Sequence, residues 1–447
     1  MDATTIGVVA MLAALGLIAL RVPIGVALAG LSITCTFLYF GWRFGGDFQA
    51  ARAVRPTMSL ISSNLFQFLH SYSLSMVPLF IGLGHVAYHA EITTKIYYAG
   101  RVWLSKVPGG LAMASVMGCG GFSAISGSSI ACAAAMGRIC VPEMRRYGYS
   151  MPLATSAIAA GGTLGSLIPP SILFILYGIF TETSVHKLFL AGVLPGLLSL
   201  AGYMVVIFIW AKMKPEAAPA VEQGVTWAER WRATFAAWPA LLLFVVIIGG
   251  IYGGSFTPTE AAAVSLSFAV VYGFAARKLN WAKFVSAIRE TAVQSAAVFF
   301  IAAAAKMFVA FVSLTGLTRD FVALTEYYQM SDGLIILMIV ALYLVMGMFL
   351  DPLGIMLLTL PFVIPLVEGM GLDLIWFGVV VVKLLEIGLI TPPVGLNVFV
   401  INSVVGPDAP VHRIFRGVMN FLAMDMVVFA LIVLFPAISL FLPNAGF

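Results

Sequence analysis

The chain has 447 residues, of which 61% are hydrophobic and only 10% are charged, and its formal net charge is +5 at pH 7. Soluble domains are roughly half apolar and about a quarter charged, so this composition excludes a soluble globular protein. The basic residues lie in short segments between apolar runs, as in the loops of membrane proteins. The composition predicts an all-α integral membrane protein that contacts membrane lipid and binds no nucleic acid.

Apolar runs occur along the whole chain. A spanning helix needs about 20 apolar residues, and this criterion predicts about ten to twelve transmembrane helices. The longer runs are 6–20, 24–40, 191–210, 240–252, 261–276 and 426–442. No basic region precedes the first run, so we expect it to be a retained span and not a signal peptide.

The segment 108–141 contains the string GCGGFSAISGSSIA between two apolar arms. Each arm is about a dozen residues long, below the minimum of about 17 for a membrane crossing. We therefore expect a re-entrant helical hairpin with a tip of small and polar residues. Non-helical backbone at membrane depth is tolerated only against protein or water, so this tip is expected to lie in a protected interior.

A broken helix is predicted near 165–172, where Pro169 and Pro170 interrupt an apolar run. A proline inside a helix removes a backbone donor and costs about 3 kcal/mol. A proline pair within an apolar run therefore indicates a helix break with a functional role. The pattern of one glycine and a proline pair recurs 223 residues later (388 − 165 = 223), in the string GLITPPVGLNVFV. A second broken helix is therefore predicted near 388–395.

The second half of the chain also contains a second predicted hairpin, near 333–365, around the string GMFLDP. Scaffold helices, a hairpin and a broken helix thus occur in the same order twice. We interpret residues 1–210 and 239–447 as two structural repeats. The segment 211–238 between them is polar and contains tryptophans, which predicts an interfacial linker.

The tips and breaks predict two pseudo-equivalent cation sites. A helix broken inside a membrane leaves carbonyl oxygens unpaired, and a small hard cation satisfies them. The first site is expected to use Ser123, Ser126, Gly165, Ile168 and Pro169. The second is expected to use Gly347, Gly388, Thr391 and Val394. The competing interpretation is that the small residues serve helix packing only and that the serines bond to their own helices.

Ionisable residues in apolar segments are a second indication of function. Asp351 lies at the second tip, where it is expected either to contact a ligand or to cap the returning helix. Glu260 is expected to complete a capping box at a helix start. Lys383 and Glu386 are three residues apart on one predicted helix, and we expect them to neutralise each other.

The strings SGSSIA, GTLGSLIPPSI, FTPTEAAA, LDPLGIMLLTLPFVIPL and GLITPPVGLNVFV closely resemble the large membrane subunit of tripartite ATP-independent periplasmic (TRAP) transporters, the DctM-like family. The similarity extends over nearly the whole chain. This resemblance implies an elevator-type transporter with two inverted repeats. It also implies sodium-coupled import of an organic acid anion, such as a C4-dicarboxylate or sialic acid, across the cell inner membrane.

The same resemblance implies that Na+ is the coupling ion and that the two residue sets given above bind it. Further tip and break residues are the expected substrate contacts: Ser128, Ser129, Asp351, Pro170 and Pro393. The implied partners are a periplasmic substrate-binding protein and a small four-helix membrane subunit. Because the chain begins directly at the large subunit, we expect the small subunit to be a separate polypeptide.

Three other functions are consistent with parts of the sequence. A stand-alone anion:sodium symporter would share the hairpins and repeats but need no binding protein. An intramembrane hydrolase would use the serines of ISGSS as a nucleophile, but it needs a base, and none of the five histidines lies in an apolar, glycine-rich span after that motif. A passive channel would have no need of two paired tips.

Overall fold

The computed structural model describes residues 3–42, 48–219 and 225–445, and every regular element within these ranges is helical. The predicted all-α class is confirmed. Residues 220–224 of the predicted linker lie outside the described ranges. The first group of helices comprises α1 (Ala3–Ala19), α2 (Ile24–Gly41), α3 (Ala50–Leu69), α4 (Met76–His89), α5 (Ile92–Leu104), α6 (Gly110–Ser126), α7 (Ser129–Arg146), α8 (Met151–Leu167), α9 (Ile172–Thr181) and α10 (Val185–Met213).

The remaining described residues form a second group of helices, in which a π-helical turn at Val245–Gly249 separates α12 from α13. This group comprises α11 (Trp227–Ala236), α12 (Trp238–Phe244), α13 (Gly250–Tyr252), α14 (Pro258–Ala275), α15 (Trp281–Thr315), α16 (Leu317–Tyr327), α17 (Asp332–Gly347), α18 (Pro352–Gly369), α19 (Leu374–Gly388), α20 (Leu396–Val405), α21 (Val411–Leu434) and α22 (Ala437–Asn444).

Many of these helices have the length and composition of membrane spans. In the part of the chain that the structure describes, seven helices are long and apolar enough to cross a membrane, and two bent helix pairs raise the number to nine. Three shorter apolar helices, α1, α6 and α17, have 10–17 residues each. The chain is therefore a multi-pass membrane protein, and the predicted total of about ten to twelve spans depends on these shorter helices.

Helix α14 begins at a complete capping box. The Thr257 N–H donates to the Glu260 carboxylate at 2.8 Å, and the Glu260 N–H donates to Thr257 Oγ1 at 3.3 Å. Pro258 occupies the first helical position, where a missing N–H costs nothing. The capping role predicted for Glu260 is thus confirmed.

Helices flank both predicted tips, α6 and α7 pack against each other, and all four helices are longer than the predicted arms. Helices α6 and α7 have 17 and 18 residues, and α17 and α18 have 16 and 18. The prediction of about a dozen residues per arm was wrong because the serines and glycines before the first tip continue the helix. Ser123 illustrates the reason: its hydroxyl donates to the Cys119 carbonyl one turn earlier, at 2.6 Å. The re-entrant character of both hairpins stays a prediction.

The chain forms two compact units, and each takes residues from both halves of the sequence. Unit 1 comprises Met1–Ser75, Val293–Leu342 and Leu350–Leu374. Unit 2 comprises Met76–Ala292, Tyr343–Phe349 and Ile375–Phe447. These units describe packing, whereas the two repeats describe a recurring sequence pattern, so the repeats stay a prediction.

Unit 2 has a large apolar core in which α8 is the central element. Helices α6, α7, α10, α20 and α21 all pack against α8. Small residues allow this close approach: a Cβ on Gly161 would lie 2.9 Å from the Cys119 sulfur, and a Cβ on Gly417 would lie 2.7 Å from the Pro152 carbonyl oxygen. The first tip and both breaks are built on this core.

Candidate cation and substrate site

The first break, residues 168–171, separates α8 from α9 inside unit 2 and is buried throughout. Pro169 and Pro170 are joined by a cis peptide bond, and neither carries an N–H. The carbonyl oxygens of Gly165 and Ser166, four residues earlier, therefore lack the donors that a continuous helix would supply. Polar backbone groups thus collect at a place without access to bulk water.

The tip of the first hairpin is in backbone contact with the first break. The Ile172 N–H donates to the Gly127 carbonyl at 3.2 Å. Gly127 has φ +63°, which favours glycine, and a Cβ on it would lie 2.7 Å from the Pro170 carbonyl oxygen. On α8, a Cβ on Gly165 would lie 2.6 Å from Ser129 Cα. Larger residues at either glycine would separate the tip from the break.

The residues predicted for the first cation site flank this contact. Ser126 directly precedes Gly127, and its hydroxyl is buried and has no hydrogen-bond partner among the described residues. Ile168 directly follows α8 as its C-cap, with its N–H donating to the Leu164 carbonyl at 3.0 Å. The Ser123 hydroxyl donates its proton to its own helix, so its oxygen lone pairs remain available to an ion.

The second hairpin meets the second break through two glycines of unit 2. Gly347 ends α17 and Gly388 ends α19. A Cβ on Gly388 would lie 2.6 Å from Gly347 Cα, and a Cβ on Gly347 would lie 3.0 Å from Gly388 Cα. The structure therefore brings together these two predicted ligands of the second site, as it brings together Ser126 and the first break.

The second break, residues 389–395, pairs much of its own backbone. Pro392 and Pro393, also joined by a cis bond, provide no N–H for the carbonyls four residues earlier. Other donors replace them: the Thr391 N–H donates to the Gly388 carbonyl at 3.2 Å, and the Asn397 N–H donates to the Leu389 carbonyl at 3.0 Å. The Thr391 hydroxyl donates to the Ile387 carbonyl at 2.7 Å, and Val394 is half-buried.

Residues 9–438 match the family described as the DctM component of the tripartite ATP-independent periplasmic transporters. The chain belongs to this family. The C4-dicarboxylate TRAP transporter large permease protein DctM of Pseudomonas aeruginosa is 36% identical over 86% of this chain and 89% of its own length. The sialic acid TRAP transporter large permease protein SiaM of Vibrio cholerae is 34% identical, over 84% of this chain and 87% of its own.

Two further comparisons cover at least 99% of the chain. The ectoine TRAP transporter large permease protein TeaC of Halomonas elongata is 31% identical, over 99% of this chain and 100% of its own. The crystal structure of the YdaH transporter of Alcanivorax borkumensis covers 100% of this chain and 99% of its own, with a TM-score of 0.62 and 14% identity, which shows a shared fold. The relatives within the family are permeases, so this DctM chain is a transport protein and not an enzyme.

Both hairpin tips of the DctM chain also cap the helix that follows them. Ser128 Oγ accepts a hydrogen bond from the Ala131 N–H at 3.4 Å at the start of α7. One Asp351 oxygen accepts from the N–H groups of Leu353 and Gly354, at 3.1 and 3.3 Å, at the start of α18. The capping interpretation of Asp351 is confirmed, while contact of Ser128 or Asp351 with substrate stays a prediction.

The other predicted substrate contacts differ in exposure. Ser129 and Pro170 are buried, whereas Pro393 is exposed. Asp351 belongs to unit 1, whereas all the other predicted site residues belong to unit 2. Ser129 uses its hydroxyl in a contact that the sequence did not predict, with Glu386 of α19 at 2.7 Å.

The prediction that Lys383 and Glu386 neutralise each other was wrong. Lys383 Nζ lies 2.5 Å from Asp425 Oδ1 on α21 and donates to Ser199 Oγ on α10 at 3.0 Å. The Tyr203 hydroxyl lies 2.7 Å from both Asp425 oxygens. A side chain three residues away is close on one helix, but the long lysine side chain reaches a carboxylate on a neighbouring helix instead. The one sequence signal was an aspartate within the apolar run MNFLAMDMVVFALI.

Glu386 joins the first hairpin and both broken helices. Ser129 at the start of α7 donates to Glu386 Oε1 on α19, and Ser166 Oγ on α8 lies 2.9 Å from Ser129 Oγ. All three side chains are buried. Glu386 is also two residues before Gly388, which meets Gly347 where the second hairpin contacts the second break. We call this meeting of a hairpin and a break a tip–break contact. The sequence does not indicate this link, because the three residues are far apart in the chain.

Proposed function

We propose that this DctM chain is the substrate-translocating subunit of a TRAP transporter and couples sodium entry to the import of an organic acid anion across the cell inner membrane. The observation that carries the proposal is the backbone contact between each hairpin tip and its proline break. At the first contact, the Ser126 hydroxyl and backbone carbonyls lie beside the helix interruption, and at the second the backbone of Gly347 meets that of Gly388. Neutral oxygen ligands suit a hard monovalent cation better than a transition metal.

Helix orientation at the first contact supports an anionic substrate. Helices α7 and α9 both begin beside it, at Ser129 and Ile172. Helix N-termini carry partial positive charge and unpaired N–H groups, which attract carboxylates. The named substrates of the relatives include C4-dicarboxylate and sialic acid, which are organic acids. A carboxylate-bearing solute is therefore the proposed substrate class.

We propose an elevator mechanism because all the predicted sodium ligands lie in one compact unit. Residues of both sites belong to unit 2, so a single body is able to carry the ions and the substrate together. The proposed partners follow from the family description, in which the transporter is tripartite and periplasmic. They are a periplasmic substrate-binding protein and a small four-helix membrane subunit.

Sodium replacement in proteoliposomes tests the coupling. Uptake of a radiolabelled organic acid is measured under an inward sodium gradient with the interior negative, and again with sodium replaced by potassium or choline at the same membrane potential. We expect uptake to fall to background in both replacements. Undiminished uptake driven by a proton gradient alone would contradict sodium coupling.

Combining the components tests the partners. We expect no uptake by this chain alone, essentially none after the small subunit is added, and saturable uptake only when the cognate binding protein is also present. The three preparations are compared at equal protein density in the same liposomes. Saturable sodium-driven uptake by the single chain would instead identify a stand-alone symporter.

A further inference from the structure

One oxygen of the Glu386 carboxylate is buried without a partner. The side chain is 1% exposed and sits on α19, against α7 and α8. Its Oε1 accepts from Ser129, but Oε2 has no hydrogen-bond partner among the described residues. Leaving a buried acceptor unpaired costs about 1–3 kcal/mol, and more when the group is charged. A ligand bound to this oxygen would therefore relieve that cost.

The hydroxyl groups around Glu386 favour its ionised form. Ser129 Oγ lies 2.7 Å from Glu386 Oε1 and 2.9 Å from Ser166 Oγ. A hydroxyl has one proton and an ionised carboxylate only accepts, so Ser129 donates to Glu386 and Ser166 donates to Ser129. Two hydroxyl dipoles thus point toward the carboxylate, an arrangement that stabilises negative charge.

The neighbouring ion pair does not neutralise that charge. Lys383 and Asp425 are each 1% exposed at their side chains, and they lie 2.5 Å apart. Asp425 is held further by the Tyr203 hydroxyl, and Lys383 by Ser199. With Glu386 in its ionised form, these three groups together carry one negative charge in excess of the positive charge on Lys383, among the side chains that the structure describes. A buried charge is expensive unless it is paired.

We infer that a sodium ion binds Glu386 Oε2, at a position additional to the two predicted cation sites. This inference rests on the proposed sodium coupling. A carboxylate beside serine hydroxyls provides the hard oxygen ligands that sodium prefers. The position also lies on a link between the two predicted sites, because Ser129 follows the first tip and Gly388 ends the same helix as Glu386. The ion would bring one more positive charge into the cell with each substrate molecule.

Counting bound sodium ions tests this position. Saturable binding of radioactive sodium is measured on the purified full-length chain in lipid nanodiscs, in wild type and in Glu386→Gln. Glutamine keeps the shape and the acceptor for Ser129 but removes the charge. We expect Glu386→Gln to bind one sodium ion fewer per chain. The matched control is Glu260→Gln, at an exposed capping box that glutamine also completes, and its sodium count is expected to equal that of wild type.

A second variant keeps the test decisive if Glu386→Gln does not fold. Ser166→Ala removes the outer hydroxyl and leaves the carboxylate, so we expect an unchanged count with several-fold weaker affinity for one sodium ion. Equal counts in wild type and Glu386→Gln, or an unchanged affinity in Ser166→Ala, overturn the Glu386 position alone. Absence of saturable sodium binding in wild type overturns both this position and the proposed sodium coupling.

Discussion

The two tip–break contacts arise from the same sequence pattern but differ in chemistry. At the first, a fully buried break lies beside polar side chains: the Ser126 hydroxyl, which has no partner among the described residues, and the Ser129–Ser166–Glu386 chain. At the second, two glycines meet backbone to backbone, and Pro393 is exposed. Within the described ranges, two buried side-chain oxygens near the first contact lack partners, on Ser126 and Glu386, against one near the second, on Asn397, so the first contact would gain more from a bound cation.

The length of each break explains much of this difference. The first break has only residues 168–171 between its helices, whereas the second extends over 389–395. The longer segment turns back far enough for the Asn397 N–H to reach the Leu389 carbonyl at 3.0 Å. The shorter segment contains two prolines among four residues, so it has few N–H groups with which to pair its own carbonyls. Two copies of one sequence pattern within this chain thus differ in the chemistry of the atoms that they expose to a ligand.

The largest expected effect concerns the buried ion pair of Lys383 and Asp425, because Lys383 lies on α19, which carries Glu386 and leads into the second break. Lys383→Met and Asp425→Asn each leave the other partner buried without its counter-charge, and each is expected to destabilise unit 2 by about 3–5 kcal/mol. Lys383→Met combined with Asp425→Leu removes both charges and is expected to recover most of this loss. Thermal unfolding in detergent measures all three variants. Single variants as stable as wild type would show that the pair is not buried as described.

Alanine substitutions at the closely packed glycines test the two tip–break contacts side by side. Gly165→Ala and Gly388→Ala each place a methyl group 2.6 Å from backbone atoms, so we expect each to lose about 1–3 kcal/mol of stability and most of the transport activity. Gly30→Ala is the control, because a Cβ there meets nothing within 4 Å. This control is expected to gain about 0.5–1 kcal/mol, the usual preference for alanine inside a helix. Full transport activity of either variant would show that close backbone approach at that contact is not needed for transport.

The caps at the two tips are expected to have a smaller and similar effect. Ser128→Ala and Asp351→Ala each remove an N-cap and are expected to lower the free energy of unfolding by about 0.5–2 kcal/mol. Asp351→Asn keeps the capping oxygen and serves as the control, with near wild-type stability. Uptake at increasing substrate concentration is measured alongside. A large rise in KM for Asp351→Asn would indicate that the Asp351 carboxylate contacts the substrate in addition to capping α18.

Removing the hydroxyl of Thr391 or Ser126 is expected to have the smallest effect on stability. These variants distinguish hydroxyls that bind an ion from hydroxyls that only support packing. Thr391→Val breaks the bond to the Ile387 carbonyl and is expected to cost about 0.5–1.5 kcal/mol. Ser126→Ala removes a hydroxyl that has no partner among the described residues, so stability is expected to stay equal or to rise. Both variants are expected to raise the sodium concentration for half-maximal uptake. An unchanged sodium midpoint would assign that hydroxyl to packing.

Much of the fold follows from local properties of the sequence. The length and spacing of apolar runs indicated an all-helical membrane protein, and the proline pairs marked both breaks within a few residues, because a proline removes an N–H wherever it stands. The Thr257–Glu260 capping box was predictable for the same reason, since its partners are three residues apart. The hairpin arms were less predictable, because glycine and serine end some helices and continue others according to their packing.

The sequence by itself determined the class of protein, the order of hairpins and breaks, and the residues near each predicted site. Only the tertiary structure decided which of these residues meet and how the buried charges pair. Lys383 binds Asp425 and Glu386 binds Ser129, across separations of 42 and 257 residues. The physical reason is that periodicity specifies which face of a helix is apolar, whereas the partner of a buried charge depends on which other helix packs against that face.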